Sequence, residues 1–461
     1  MRRHPGSLAV LAAASLIGLA ACDDGRGSTT TPAPAPAPAP APSPAPDEPP
    51  AQMVVSGHIE EDTTWVAATA YILEGAVFVP EGVTLTIEAG TQIYGESATN
   101  GTLIVERGGM LMAMGTADAP IVMTSDQEPG SRARGDWGGL ILNGNAPLNI
   151  PGGVGEGEGD TGAYGGDDPA DNSGVLNYVR VEYAGTEFSP DNELNGIAFQ
   201  GVGNGTEVDY VQVHYNKDDG VEWFGGTVDA KHLVMTGIAD DSFDWTEGWT
   251  GRGQFWIAQQ RGDDADQGIE ADNNAENNDL TPRSAPTLYN VTLIGDPGTE
   301  AGDESDIGML LREGTAGEYA NFIVAGFKDE GLRLDHVATY QQVLAGDLTV
   351  RNSIFHDNLK GSFGDGDGRG EGQPTAAELV ALANVGGAGI MEVDPMLEHP
   401  YYHPGHGDEI EEFGVCPTAG SPALTGGAVP PADGFFDPVT YIGACDEGGD
   451  WFASWINLAA N

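Results

Sequence analysis

Apolar and polar residues alternate along most of this chain in runs of four to eight, and the runs end at Gly, Asn or Asp. A period of two marks a half-buried strand, and the turn residues mark its ends. Typical runs are Leu176–Tyr183 (LNYVRVEY), Val208–Tyr215 (VDYVQVHY), Ala230–Gly237 (AKHLVMTG), Thr287–Gly295 (TLYNVTLIG) and Tyr319–Gly326 (YANFIVAG). In VDYVQVHY, Asp209, Val211, Val213 and Tyr215 are expected to face the core. Val208, Tyr210, Gln212 and His214 then share the opposite face. A helical period shows at Thr375–Asn384 (TAAELVALAN), which predicts one short helix.

The runs also repeat. Gly82–Ile93 (GVTLTIEAGTQI) is echoed by Gly108–Val122 (GGMLMAMGTADAPIV), with Gly90-Thr91 returning as Gly115-Thr116. Asp218–Gly226 (DDGVEWFGG) returns as Asp240–Gly248 (DDSFDWTEG). A repeat of roughly 22–25 residues carrying two or three short strands is one coil of a solenoid. One coil cannot bury its own inward side chains. Stacking coils about 4.8 Å apart pairs their backbones and makes a continuous core. Leucine-rich repeats have a similar period but need a leucine–asparagine ladder that is missing here. A β-sandwich gives no reason for an echo at this spacing. The predicted fold is all-β: a single-stranded, right-handed parallel β-helix.

The amino terminus breaks this pattern. Arg2 and Arg3 precede the apolar run Leu8–Ala21. That run is shorter than the roughly 20 residues needed to span a bilayer, so it reads as a signal peptide. Leu19-Ala20-Ala21-Cys22 resembles a bacterial lipobox, which implies cleavage before Cys22 and diacylglyceryl attachment to its sulfur. Ser28–Pro50 is nearly pure Pro and Ala and reads as a stiff tether, with a reach on the order of 70 Å. The expected organisation is a signal peptide over 1–21, lipidated Cys22 and tether over 22–52, and a β-helix domain over 53–461. Its last part, from about 390, is expected to form a cap. Such a chain would sit on the cell envelope, at the outer membrane or cell surface, held to the membrane by its lipid alone. Of three cysteines, Cys416 and Cys445 remain once Cys22 is lipidated. They are expected to pair, as an oxidising compartment permits.

Charge narrows the chemistry. The chain has 71 acidic residues against 18 basic, a formal net charge of −53. Such a body repels nucleic acid and anionic lipid and attracts cations. Asp218 and Asp219 should lie one coil below Asp240 and Asp241, and a further step of the same length from Asp241 reaches Asp263, with Asp264 next to it. Glu222 aligns with Asp244 in the same register, and Trp223 with Trp245. Like charges stacked at strand spacing repel. A raised pKa, solvent or a bound cation must relieve them. Hard oxygen ligands suit Ca²⁺, so Asp218, Asp219, Asp240, Asp241, Asp263 and Asp264 are the candidate metal ligands. Trp223 and Trp245, with Trp249 and Trp256 nearby, are candidate contacts for a sugar ring or a protein partner. Gly155–Gly174 and Gly364–Gly372, the latter with Asp365, Asp367 and Glu371, are acidic turns rich in oxygen donors. His399, His403 and His406 converge on a metal only in a helix, which Pro400, Pro404 and Gly405 oppose.

Several motifs together carry a resemblance. They are Gly82–Ile87, Gly90-Thr91, Pro120-Ile121 with Thr124-Ser125, Trp137–Leu140 and Tyr178–Gly185, and the ending from Phe435-Phe436 through Tyr441–Ala444 to Trp451. In these the chain resembles bacterial surface lipoproteins with pectin-lyase-like right-handed β-helices, a family that includes a leptospiral outer-membrane lipoprotein. The resemblance implies fold and surface location and leaves the biochemistry open. A second likeness concerns catalysis. Polygalacturonase-type hydrolases carry Asn-x-Asp, then Asp-Asp one coil on, then Gly-His-Gly. Asn216-Lys217-Asp218 and Asp240-Asp241 look like the first two. The third coil offers Gly262-Asp263-Asp264 instead, and Gly405-His406-Gly407 lies far downstream. A lyase needs an Arg or Lys base, and Lys217, Arg252 and Arg261 are the basic residues near the row.

No Walker motif, GxSxG elbow or CxxC pair is present, so a nucleotide partner is not expected. The sequence therefore points to a non-enzymatic binding or scaffold protein, holding Ca²⁺ and presenting a long face to a glycan or an outer-membrane protein. The alternative is a polysaccharide hydrolase or lyase using Asp218, Asp240 and Asp241.

Overall fold

The computed structural model describes residues 50–189, 192–298, 304–370, 372–378, 389–401 and 413–459. The expected signal peptide, Cys22 and nearly all of the expected tether lie outside them.

Among these residues, twenty-four strands form one sheet, and its paired strands run parallel from coil to coil. One column runs Val179, Val211, Leu233, Trp256, Val291, Phe322, each the register partner of the next. A second runs Leu140, Ile197, Val221, Phe243, Ile269, Met309, Leu332. Both columns are sealed from solvent and face one interior. Parallel pairing with this inward stacking is the right-handed parallel β-helix expected from the repeat.

One stretch of the interior is aromatic. Trp223 and Trp245 are direct register partners, as the repeat requires. The Trp223 ring lies 4.6 Å from Trp249 and 5.1 Å from Trp256, nearly parallel to both. Burying side chains of this size contributes about 1.5–3 kcal/mol or more each. These tryptophans are therefore core residues, and none of the four offers a face to a ligand.

One corner of the coil departs from simple alternation. Tyr178, Tyr210, His232, Phe255, Asn290, Asn321 and Asn352 occupy equivalent places, and each has φ between 47° and 63°. The left-handed turn flips the parity of the strand, so Val208, Val211 and Val213 all point inward. Strict alternation puts Val208 outside and Asp209 inside, and the turn overrules it. Tyr178 stacks on Tyr210 at 4.4 Å and Tyr210 on His232 at 4.2 Å. Where the column turns to asparagine, the amides reach outward to the carboxy-terminal segment. Asn290, Asn321 and Asn352 donate to the carbonyls of Tyr441, Ala428 and Gly426 at 2.9, 2.9 and 2.8 Å.

That segment is a strap along the side of the solenoid, and not a cap on its end. Its contacts run from the Asn352 coil back past Gln212, which donates to the Asn457 carbonyl at 2.6 Å, to Tyr183, whose hydroxyl donates to the Ala459 carbonyl at 2.6 Å. The Cys416–Cys445 disulfide, expected from the cysteine count, closes a loop within it. A helix that the sequence pattern does not announce, Val337–Ala345, ends at Gly346 in the left-handed region. Of the expected helix at 375–384, residues 376–378 are helical and 379–384 lie outside the described residues.

Asn321 holds Ala428 of the strap by two bonds, since its side-chain Oδ1 also accepts from the Ala428 N–H at 2.6 Å. Asn321→Ala should therefore lower stability by about 1–3 kcal/mol, read as a lower melting temperature by circular dichroism. An unchanged melting temperature would show that the strap is not held here.

Candidate functional site

The acidic repeats stack as the register demands. Glu222 pairs in register with Asp244, and Asp244 with Glu270. All three lie on the outward face of their strands, because Val221, Trp223, Phe243 and Trp245 take the inward positions. Beside this column run two more, set in the turns. Asp219 Oδ1 accepts from the Asp241 N–H at 3.1 Å, and Asp241 Oδ1 accepts from the Gln267 N–H at 2.5 Å. Gln267 Oε1 accepts from the Ile307 N–H at 3.1 Å. Each side chain thus holds the backbone one coil further on. The outermost column is Asp218, Asp240, Asp266, Asp306, with backbone bonds from Asp266 N to Asp240 O and from Asp306 N to Asp266 O.

The third rung corrects the extrapolation at constant period. The coil from Phe243 to Ile269 is longer than the one before it, from Val221 to Phe243, so Asp266 and Gln267 continue the columns. Asp263 and Asp264 fall in the added turn. Arg134 and Arg261 each reach Asp263 at 3.1 Å, and Lys217 bonds Asp264 at 2.7 Å. Sequence reading found Asp218, Asp219, Asp240 and Asp241 and the alignment of Glu222 with Asp244. It missed Asp266 and Glu270. A gapped comparison of DDSFDW with ADQGIEA would have exposed both.

Among the described residues four trios of carboxylates result, each with ligand atoms within 4.8 Å of one another. Two are inner: Asp219, Glu222, Asp244 and Asp241, Asp244, Glu270. Two are outer: Asp218, Asp219, Asp240 and Asp240, Asp241, Asp266. Asp219, Glu222 and Asp241 are buried. Asp244 Oδ1 is sealed from solvent and has no hydrogen-bond donor. The row is bounded at both ends. Asn195 Nδ2 donates to Glu222 at 2.6 Å below. Above, Arg312 takes Asp272 at 2.8 Å and also bonds Glu270. The outer column opens to a cleft of about 390 Å³ lined by Glu187, Glu193, Lys217, Asp218, Asp240, Asp264, Asp266 and Glu304.

Burial and mutual repulsion disfavour the charged forms. Burial, then Asp240 and Glu158, push Asp218 up to about 8. Burial, then Asp272, push Asp244 up to about 7. Asp266 rises to about 6 through burial and Asp240. Asp219, Glu222, Asp241 and Glu270 are driven well above the carboxylate range by burial and their neighbours in the row. Without cations, burial and repulsion favour the protonated forms along the row.

Among the described residues, the remaining candidates do not join the row. Asp365 accepts from the Tyr340 hydroxyl at 2.6 Å and the Ala376 N–H at 2.7 Å, a structural duty. In the Gly155–Gly174 turn, Tyr164 and the neighbouring Leu148 and Leu194 cover the outer faces of Ile104, Ile141 and Ala198. His399 is exposed, while Glu371, His403 and His406 lie outside the described residues.

A pH dependence follows. A carboxyl whose folded pKa is raised adds stability that is whole below its unfolded pKa and lost as pH climbs through the folded value. In chelator, the melting temperature should fall from about pH 5 to about pH 8, as Asp266, Asp244 and Asp218 are forced to ionise. A flat or rising curve would contradict the buried row.

Comparison with known proteins supplies one match. The family model of the pectate-lyase-like β-helix domain matches residues 57–389. No curated protein and no solved structure matches the chain. The match spans most of the chain and the whole acidic row, so this protein belongs to the pectate-lyase-like β-helix domain family.

Proposed function

We propose that this chain is a non-enzymatic, cation-holding scaffold of the bacterial envelope, with the acidic row as its working site. The observation that carries the reading is the Asp244 carboxylate, with one oxygen sealed and undonated among seven other row carboxylates. Proteins do not keep such a charge without a counter-charge or a proton. Divalent cations with oxygen preference, Ca²⁺ above all, fit a donor set made only of carboxylates. The row would then harden one stretch of the solenoid and leave the long outer face for a glycan or an outer-membrane protein. The lipobox-like Leu19–Cys22 supports attachment by acyl chains, and no helix among the described residues is long and apolar enough to cross a membrane.

A second reading is favoured by the family match and by the cleft. Asp218 and Asp240 line it together with Lys217. Lys217 would serve a lyase as base, or a carboxyl kept protonated would serve a hydrolase as acid. Lys217 is already bonded to Asp264, which holds it away from that duty.

The two readings separate on one preparation. The scaffold reading expects Ca²⁺ at about a hundred times its Kd to stabilise the full chain by about 2.7 kcal/mol, with no product from pectate or alginate. Product release that is lost in Asp218→Asn or Asp241→Asn would establish the enzyme instead. No thermal shift and no turnover would remove both.

A further inference from the structure

We infer that the two inner trios are a matched pair of divalent-cation seats, stacked one coil apart and sharing the Asp244 carboxylate. This rests on the cation-binding reading and adds number, position and order.

The geometry is a translation. Advancing the lower trio by one coil carries Asp219 to Asp241, Glu222 to Asp244 and Asp244 to Glu270, which is the upper trio. The step is one strand spacing, about 4.8 Å, so two cations at these places need a bridging carboxylate between them. Asp244 is that bridge, being in both trios. One coil further on in either direction the set fails. Ala198 replaces Glu222 below, while Gln267 and Leu310 replace Asp241 and Glu270 above. The array therefore ends after two inner seats.

A neutral side chain also borders it, and one oxygen inside it is unmet: Asp244 Oδ1 is sealed and has no hydrogen-bond donor. Asn195 is 1% exposed and its Nδ2 bonds Glu222, yet its Oδ1 has no partner. Buried oxygens left unmet on a shared carboxylate and on the amide beside it call for a cation. Three carboxylates and an amide offer enough oxygens for the six to eight that Ca²⁺ takes at flexible distances. Mg²⁺ keeps its waters and demands a tight octahedron, so it is the poorer guest. The seats are unequal. The lower one has the Asn195 amide, whereas the upper one has Glu270 already bonded to the Arg312 guanidinium. The lower seat binds first.

Calorimetric titration of the full chain with Ca²⁺ tests this, paired with Tb³⁺ luminescence excited through Trp223 and Trp245, the residues adjoining Glu222 and Asp244. Two cations per chain are expected, one tight and one weaker. Glu222→Gln should weaken the tight class by at least about tenfold and spare the other, with Glu270→Gln doing the reverse. Asp244→Asn should remove both, with near-ultraviolet circular dichroism reporting its fold. If that variant unfolds, the Glu222 and Glu270 pair decides the matter alone. A single class of one cation would overturn the paired seats while leaving the scaffold reading intact. Loss of binding in Asp218→Asn but not in Glu222→Gln would do the same and shift the site to the outer trios. Absence of any binding would remove the scaffold reading itself.

Discussion

Parallel pairing of each strand with the one a coil later is the constraint from which the rest follows. It puts residues of equal phase at strand spacing, so whatever repeats in the sequence becomes a column in space. Inward columns of Val, Leu, Phe and Trp gain by this, because apolar surfaces stack without penalty. Outward columns inherit the same spacing whether or not it suits them. Tyr178, Tyr210 and His232 profit from it as stacked rings, and Asn290, Asn321 and Asn352 as a row of donors to the strap. Glu222, Asp244 and Glu270 suffer from it, since like charges are held together where solvent is thin.

The protein lightens that burden in three ways within the row. Asp219 and Asp241 each use one oxygen to hold the next coil's backbone N–H. Gln267 performs the same duty without charge, which shows that the hydrogen bond alone does not require an aspartate. Arg312 neutralises the upper end, and Asn195 meets the lower end with an amide. In the middle these aids are incomplete, since Asp244 keeps one oxygen sealed from solvent and without a hydrogen-bond donor.

Much of the fold was legible because it rests on local period. Alternation in Tyr319–Gly326 and the echo of DDGVEWFGG in DDSFDWTEG needed no tertiary information. Parity was misread at Val208 because one left-handed residue, Tyr210, reverses the faces, and a tyrosine gives no warning of that conformation. Asp263 and Asp264 were misplaced because one coil is longer than its predecessor. Trp223 and Trp245 were candidate ligand contacts because their neighbours are acidic, and the core claims them because adjacent strand residues point to opposite faces.

By itself, the sequence determined that this chain is a parallel solenoid, that Asp218, Asp219, Asp240 and Asp241 stack, and that the last two cysteines can pair. Those statements depend only on period and count. The tertiary structure alone decided that Glu222, Asp244 and Glu270 are enclosed, that Asp266 replaces Asp263, and that the carboxy terminus lies along the flank. Burial and coil length are set by contacts between distant segments, and no local pattern records them.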